Sequence, residues 1–495
     1  MIEHLPILQV IIPLMAAPAC LVIDRPRLVW AFALAIGIAT LAISVLLLQQ
    51  VTSDGVISYA LGGWDAPWGI EYRIDLLNAY VLLIVSAINV LALIPAYRSV
   101  KQEVGEQRQV YFYTLYLLCF AGLLGITATG DAFNVFVFLE ISSLSTYALI
   151  ALGKDRRALW AAYQYLIIGT IGASFILIGI GLLYAQTGTL NMIDLANRIV
   201  ELPNTRVVLA ALVFIVVGIC IKLALFPLHV WLPNAYAYAP SIVTVFVAAT
   251  ATKVAIYLLI RFIYSIFIGG FPESALPLQV AFIVLGVAGI FVASLVAIYQ
   301  TNIKRLFAYS SVAQIGYIIV GLGLGTAIGL QASLLHVFNH ALMKGAIFLG
   351  LAAVMFKIGG VDLDDLAGLG RRMPWTMAAI VGGGLSLIGV PLTVGFISKW
   401  YLILGAIDAG MWPLAVLLVA GSLLAVIYVW RIVETAYFRP AAEGGDQGRA
   451  EAPLSFLLPL WLLLLANVYF GIDTSLTVSL SEAASNYLIG SGTGN

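Results

Sequence analysis

The chain has 495 residues, 62% of them hydrophobic and only 10% charged, with 24 Lys and Arg balancing 24 Asp and Glu and a mean hydropathy of +1.05. A soluble domain carries about 25% charged residues, so this chain cannot clothe a water-facing surface, and its solvent is mostly lipid. Zero net charge gives no basic footprint for a nucleic-acid partner.

Apolar runs separated by short polar stretches predict an all-α integral membrane protein of about fourteen spans. Spans 1–3 fall at 6–22, 28–49 and 74–97, within an N-terminal unit of residues 1–109. The opening segment MIEHLPILQVIIPL has no basic stretch before its apolar run, so the first helix is expected to be retained rather than cleaved. Spans 4–8 fall at 110–128, 131–151, 158–185, 207–237 and 240–267. Spans 9–13 fall at 276–299, 303–325, 328–356, 374–408 and 412–437, and span 14 at 453–475. The longest polar stretches, near 50–73, 186–206 and 438–452, read as loops.

Basic residues support the even count. The loops after odd-numbered spans hold sixteen Lys and Arg, Lys304 and Arg305 among them, and the even loops hold four. The positive-inside bias then puts the odd loops in the cytoplasm and both termini on the outer, periplasmic side of the inner membrane.

Four lysines remain, Lys222, Lys253, Lys344 and Lys399, all inside apolar spans; so does one acid, Glu140. A charge at the bilayer centre costs at least ~2.5–3.5 kcal/mol, so such groups face the protein interior, pair, or line a wet path. One acid–lysine pair can serve merely to pin two helices. Four lysines against one acid leave a surplus that must be hydrated or give up its protons, and a lysine poised between its two forms is a proton carrier. His336, His340 and Lys344 stand at i, i+4 and i+8 and share one helix face. A metal reading of the two histidines is poor, because no Asp or Glu follows at ligand spacing and Lys344 repels a cation. His229 either lies near the path or simply packs there. Cys20, Cys119 and Cys220 sit in separate apolar runs and read as small packing residues.

Two spans carry helix breaks. In span 7, KLALFPLHVWLPNAYAYAP, Pro227 should break the helix near Phe226, with Pro233 and Pro240 bounding the next piece. In span 12, LSLIGVPLTVGFISKW, the break is marked by Gly389, Pro391 and Gly395. Irregular backbone at membrane depth is tolerated only where protein or water satisfies it. The breaks lie five spans apart, an odd offset that reverses direction, as inverted repeats require. Spans 4–8 (residues 110–267) and spans 9–13 (residues 276–437) are the expected repeats. Lys222 precedes its break and Lys399 follows its own.

The segments DAFNVFVFLEISSLSTYALIALG, KLALFPLHVWLPNAYAYAPSIVTVFVAATATKVAIYLLIR, NIKRLFAYSSVAQIGYI, HVFNHALMKGAIFLG and PLTVGFISKW resemble, in order, the antiporter-like membrane subunits shared by respiratory complex I and the multisubunit Mrp-type cation/proton antiporters. The resemblance covers roughly residues 110–430. It implies fourteen helices, discontinuous helices 7 and 12, and a charged axis on Glu140, Lys222, Lys253 and Lys399, with His336 and His340 as an auxiliary relay. Lysine at both 253 and 399 is similar to the D subunit of Mrp antiporters or to the quinone-proximal complex I type, and the wording of the helix 5 and 7 segments resembles the D subunit more. The distal complex I subunit and the large Mrp subunit extend further, by a lateral helix and extra spans; this chain ends at Asn495. The implied function is a proton-translocating subunit of a Na⁺ or K⁺/proton antiporter, working beside other integral membrane subunits. The alternative is a proton-pumping subunit of a redox-driven oxidoreductase. No dinucleotide fingerprint, Walker loop or set of cluster-binding cysteines is present, so no cofactor, metal or catalytic centre is expected in this chain.

Overall fold

In the computed structural model the described residues are 2–202, 206–267, 277–440 and 450–492. Arg449, and position 276 at the start of the expected second repeat, lie outside them. Among the described residues, twelve helices are long and apolar enough to cross a membrane. Two further spans are each made of two shorter helices. Span 7 consists of Arg206–Lys222 and Trp231–Tyr238, and span 12 of Pro374–Ile388 and Val394–Asp408. The total is the expected fourteen. Spans 8 (Ser241–Phe267), 10 (Ile303–Gly323) and 11 (Ala327–Ile358) are the most enclosed and form the centre of the bundle.

Polar residues start the helices where a lipid-embedded chain needs its first N–H groups satisfied. The side chains of Asp75, Asp131, Asn302 and Thr326 accept from the N–H groups of Asn78, Asn134, Arg305 and Gly329, at the heads of spans 3, 5, 10 and 11. Small residues let backbones meet. A Cβ on Gly218 would lie 2.5 Å from the carbonyl oxygen of Gly172, joining spans 6 and 7, and one on Gly316 would lie 2.5 Å from that of Gly286, joining spans 9 and 10. Such approaches replace the hydrophobic drive that lipid does not provide.

The two breaks share a feature. Ala224, at φ 61°, and Leu392, at φ 72°, are the positive-φ non-glycine residues among the described residues, and each sits inside a break. The first helix of span 7 stops at Lys222, one turn before Phe226. Pro233 does not bound the second piece; it lies within its first turn, where a missing N–H costs nothing. Gly395 also lies just inside a helix rather than in the gap, and a Cβ there would collide with the backbone oxygen of Ser386.

A second correspondence lies in the loops. Ala132 N–H donates to Leu190 O and Met192 N–H to Gly130 O; Ile303 N–H donates to Val361 O and Leu363 N–H to Thr301 O. These form the antiparallel bridges Asp131 to Asn191 and Asn302 to Asp362. Stepping from 131 to 302 and from 191 to 362 covers the same 171 residues and crosses five spans, so the two bridges sit on opposite faces of the bundle.

Three polar regions are more ordered than loops. The 50–73 stretch contains a hairpin of β1 (Ile57–Ala60) and β2 (Glu71–Ile74), antiparallel with Ile57 opposite Ile74. The 186–206 stretch contains the amphipathic helix Met192–Glu201, which buries Met192, Leu195 and Ile199. A last helix, Ser475–Gly492, follows span 14 and packs on spans 11 and 3 and on the end of span 8. It escapes notice in the sequence because its apolar residues are diluted by serine and alanine.

Candidate functional site

The intramembrane charges converge on the bundle centre. Span 5 (Ala132–Ala151) presents Glu140, and the first helix of span 7 ends on Lys222, with Nζ 3.8 Å from Glu140 Oε1. That is an ion pair, longer than a hydrogen bond. The ammonium donates instead to Ser143 Oγ at 2.9 Å and Tyr147 OH at 3.4 Å, both on span 5. Lys222 is held where its helix gives out, so its side chain emerges beside irregular backbone. A cavity of about 40 Å³ adjoins it, lined by Ser142, Ser143, Thr146 and Tyr165 and, across the gap, by Ala251 and Val254 of span 8. That volume has room for about two waters. The cavity reaches the helix that carries Lys253.

Lys253 is fully buried and donates to its own helix, to Ala248 O at 2.5 Å, with Thr252 Oγ1 at 3.4 Å. The histidine stripe on span 11 faces it. Spans 8 and 11 pack directly against one another. The two imidazoles lie 6.1 Å apart, centre to centre. His336 is fixed on both sides, by Ser398 Oγ at 2.8 Å and Gln314 Oε1 at 3.0 Å. His340 is fully buried, and among the described residues neither of its ring nitrogens has a hydrogen-bond partner. Lys344 turns toward span 10, donating to Phe307 O at 2.8 Å and Ser310 Oγ at 2.5 Å.

Lys399 closes the series from the second helix of span 12. Its ammonium donates to Leu387 O at 2.8 Å and Ile388 O at 3.0 Å, the last carbonyls of the first helix, and to Ser422 Oγ at 3.0 Å. A cation at a helix C-terminus meets the negative end of its dipole, so the break itself supplies a seat for this charge. The Tyr317 ring lies 4.6 Å beneath it and 5.9 Å from His336. Ser398, the neighbour of Lys399, is the residue that holds His336.

The expected residues thus lie on neighbouring helices: Glu140 pairs with Lys222 between spans 5 and 7, span 8 with Lys253 packs on span 7 and on span 11 with His336, His340 and Lys344, and span 11 packs on the second helix of span 12 with Lys399. Pro227 and Pro391 lie in the two gaps. Glu140 is the one acid within 4 Å of any of these lysines among the described residues. His229 lies in the span 7 break, half-buried, stacked on Phe226 and edge-on to Tyr309, and its Nδ1 has no hydrogen-bond partner among the described residues. It touches none of the axis residues by hydrogen bond. Among the described residues no cluster of three His, Cys, Asp or Glu can hold a metal.

One charged residue counted among the loops belongs inside. Lys304 is only 2% exposed, the second residue of span 10. Spacing does not separate it from the adjacent Arg305, because the i+3 and i+7 neighbours of both, Phe307 and Ser311 for one and Ala308 and Val312 for the other, are buried.

Residues 129–425 match the family model described as NADH:quinone oxidoreductase/Mrp antiporter, TM. The chain is 44% identical to NADH-quinone oxidoreductase subunit N of Desulforudis audaxviator over 97% of this chain and 98% of that protein. It is 30% identical to the D subunit of the Na(+)/H(+) antiporter of Alkalihalophilus pseudofirmus over 95% and 94%. Among solved structures it superposes on a chain of the Mrp complex from Dietzia sp. DQ12-45-1b with a TM-score of 0.89 and 26% identity, covering 99% of this chain and 97% of that one.

Proposed function

Because the chain belongs to the NADH:quinone oxidoreductase/Mrp antiporter transmembrane family, we propose that it carries protons across the membrane as one subunit of a larger complex, along the buried axis from Glu140 to Lys399. The observation that carries the reading is the surplus of buried lysine along that axis. Four intramembrane lysines face one carboxylate, and those beyond Lys222 donate to carbonyls and hydroxyls, contacts that both the ammonium and the neutral amine can make.

Glu140 holds Lys222 in its protonated form. A charge pair 4 Å apart is worth about 4 kcal/mol at an effective dielectric of 20, so breaking it changes proton affinity by up to ~10³-fold. The switch comes from outside the chain. The Glu140 side chain is 24% exposed at mid-membrane, and a carboxylate there cannot face hydrocarbon. A neighbouring subunit must cover it, and charge moving in that subunit weakens the pair. Lys222 then passes its proton through the adjoining cavity to Lys253. His340 and His336 hand it to Lys399, which releases it. The two spans that hinge this path are the broken ones. Spans 4–8 and 9–13 act as inverted repeats, a reading supported by the matched loop bridges. The basic-residue bias places both termini on the outer face of the inner membrane.

Two drivers fit a proton axis of this kind. An imposed Na⁺ or K⁺ gradient is the first, as in an antiporter complex whose D subunit this chain resembles. Electron transfer in partner subunits is the second, and the 44% identity to an oxidoreductase N subunit, against 30% to an antiporter D subunit, weighs for it. In vesicles containing the intact native complex, proton flux driven by a cation gradient without an electron donor would establish antiport. Flux only on adding a donor would establish the redox-driven reading. Absence of proton movement under both would overturn the function proposed here.

A further inference from the structure

Lys304 has no place in the axis just described, yet its burial is as complete as that of the axis lysines. Its ammonium donates to Ser241 Oγ at 2.9 Å and to Ala239 O at 3.4 Å. The Ser241 hydroxyl donates in turn to Glu103 Oε2 at 2.9 Å, which also accepts from the Ser241 N–H at 2.9 Å. Ser99 Oγ donates to Glu103 Oε1 at 2.7 Å. Glu103 ends span 3 and is half-buried, while Ser99, Ser241 and Lys304 are at most 2% exposed. A carboxylate at the bundle surface is thus joined to a buried lysine by one hydroxyl. The cluster lies at the ends of spans 3, 8 and 10 that the basic residues mark as cytoplasmic.

Inward from Lys304 the path continues on the same helix. Phe307 O and Ser310 Oγ, three and six residues on, are the groups that Lys344 contacts. Six residues of helix rise about 9 Å between the two backbone positions, so Lys304 must swing from Ser241 toward Ser310 to meet Lys344 through water.

We propose that Glu103, Ser241 and Lys304 form the cytoplasmic proton-uptake relay of this subunit, delivering protons to the axis through Lys344; the inference rests on the function proposed above. In uptake, a protonated Glu103 gives its proton to the Ser241 oxygen as the hydroxyl passes its own to neutral Lys304. Glu103 is left as carboxylate, Lys304 as ammonium and Ser241 unchanged. The hydrogen bonds observed run in the opposite sense, from Lys304 through Ser241 to Glu103. They represent the state after delivery, and rotation of one hydroxyl resets them.

A latch that merely tied three helix ends together would need the charge and the donors but no proton exchange. Lys304→Arg separates the two roles, because a guanidinium keeps both charge and donors but does not deprotonate in proteins. Ser241→Ala removes the bridge while leaving the ion pattern. Each variant is built into the intact complex, checked for assembly by native gel, and its driven proton flux is measured in vesicles beside Lys222→Met. The relay predicts assembled complexes whose flux falls ~10²-fold, the low end of what a positioned proton-transfer group contributes. Wild-type flux in an assembled Lys304→Arg complex would overturn it. If arginine prevents assembly, wild-type flux in Ser241→Ala overturns it equally. Normal flux in Lys222→Met instead would discard the axis itself, a different failure.

Discussion

At the scale of single residues, the chemistry turns on how each buried group is held. His336 and His340 are one turn apart, but only His336 is clamped, by Ser398 and Gln314. His336→Ala strands both of those partners and should destabilise the subunit by about 1–3 kcal/mol as well as slowing transport. His340→Ala strands none, so thermal melting should barely change while proton flux still falls; full flux with an unchanged melting point would remove His340 from the path. Glu140 gives a graded test. Glu140→Gln removes the partner charge of Lys222, and Glu140→Asp only withdraws it by one methylene. Flux should rank wild type above aspartate above glutamine, and equal flux in all three would show that the pair does not switch. Most of this site was legible in the residues alone, because an ionisable group in a run of leucine, valine and phenylalanine is conspicuous. Lys304 and Glu103 were not, because both lie within one turn of a helix end, where a charge looks solvated until the neighbouring helices are placed against it.

At the scale of elements, the decisive features are the two interruptions. Each ends one helix under a lysine, and each contains a residue in the left-handed region, Ala224 or Leu392. A β-branched side chain is poorly tolerated there, whereas glycine is at ease. Ala224→Gly should therefore leave melting within ~1 kcal/mol of wild type, and Ala224→Val should cost about 1–3 kcal/mol. A valine variant as stable as wild type would mean the break is not rigidly shaped. Prolines revealed both breaks but misplaced their edges. The first helix of span 7 stops at Lys222 because the left-handed turn at Ala224 follows, and no residue-type rule marks an alanine for that role. Backbone approaches were equally hidden. Gly218→Val would drive a methyl into the Gly172 carbonyl, which cannot rotate away, so this variant should fail to accumulate as folded subunit. On the proposed repeats the 171-residue step sets Ser311 against Glu140 and Ala173 against Lys344, so equivalent positions would carry different chemistry.

At the scale of the molecule, the axis begins at a surface rather than ending inside one. Glu140 is flanked on its helix by Val137, 37% exposed, and Leu144, 53% exposed, which mark the face that the proposed partner subunit would cover. Val137→Cys and Leu144→Cys should be shielded from a membrane-permeant thiol reagent in the intact complex and modified in the isolated subunit. The native cysteines, all buried, contribute little background. Modification of both cysteines in the intact complex would place the partner elsewhere. The span count and the crowding of charge at the centre were legible because lipid demands long apolar runs. The hairpin, the helix Met192–Glu201 and the C-terminal helix were not, because outside the membrane short amphipathic elements resemble polar loops.

The central claim, that protons cross on the buried lysines, is tested most directly by proton flux in vesicles carrying the intact complex with Lys222→Met, under a cation gradient and then with an electron donor. Methionine keeps the length and bulk of the side chain and removes its proton. The account predicts an assembled complex with no driven proton flux under either condition, while the wild type moves protons under at least one. Wild-type flux in the assembled Lys222→Met complex would contradict it.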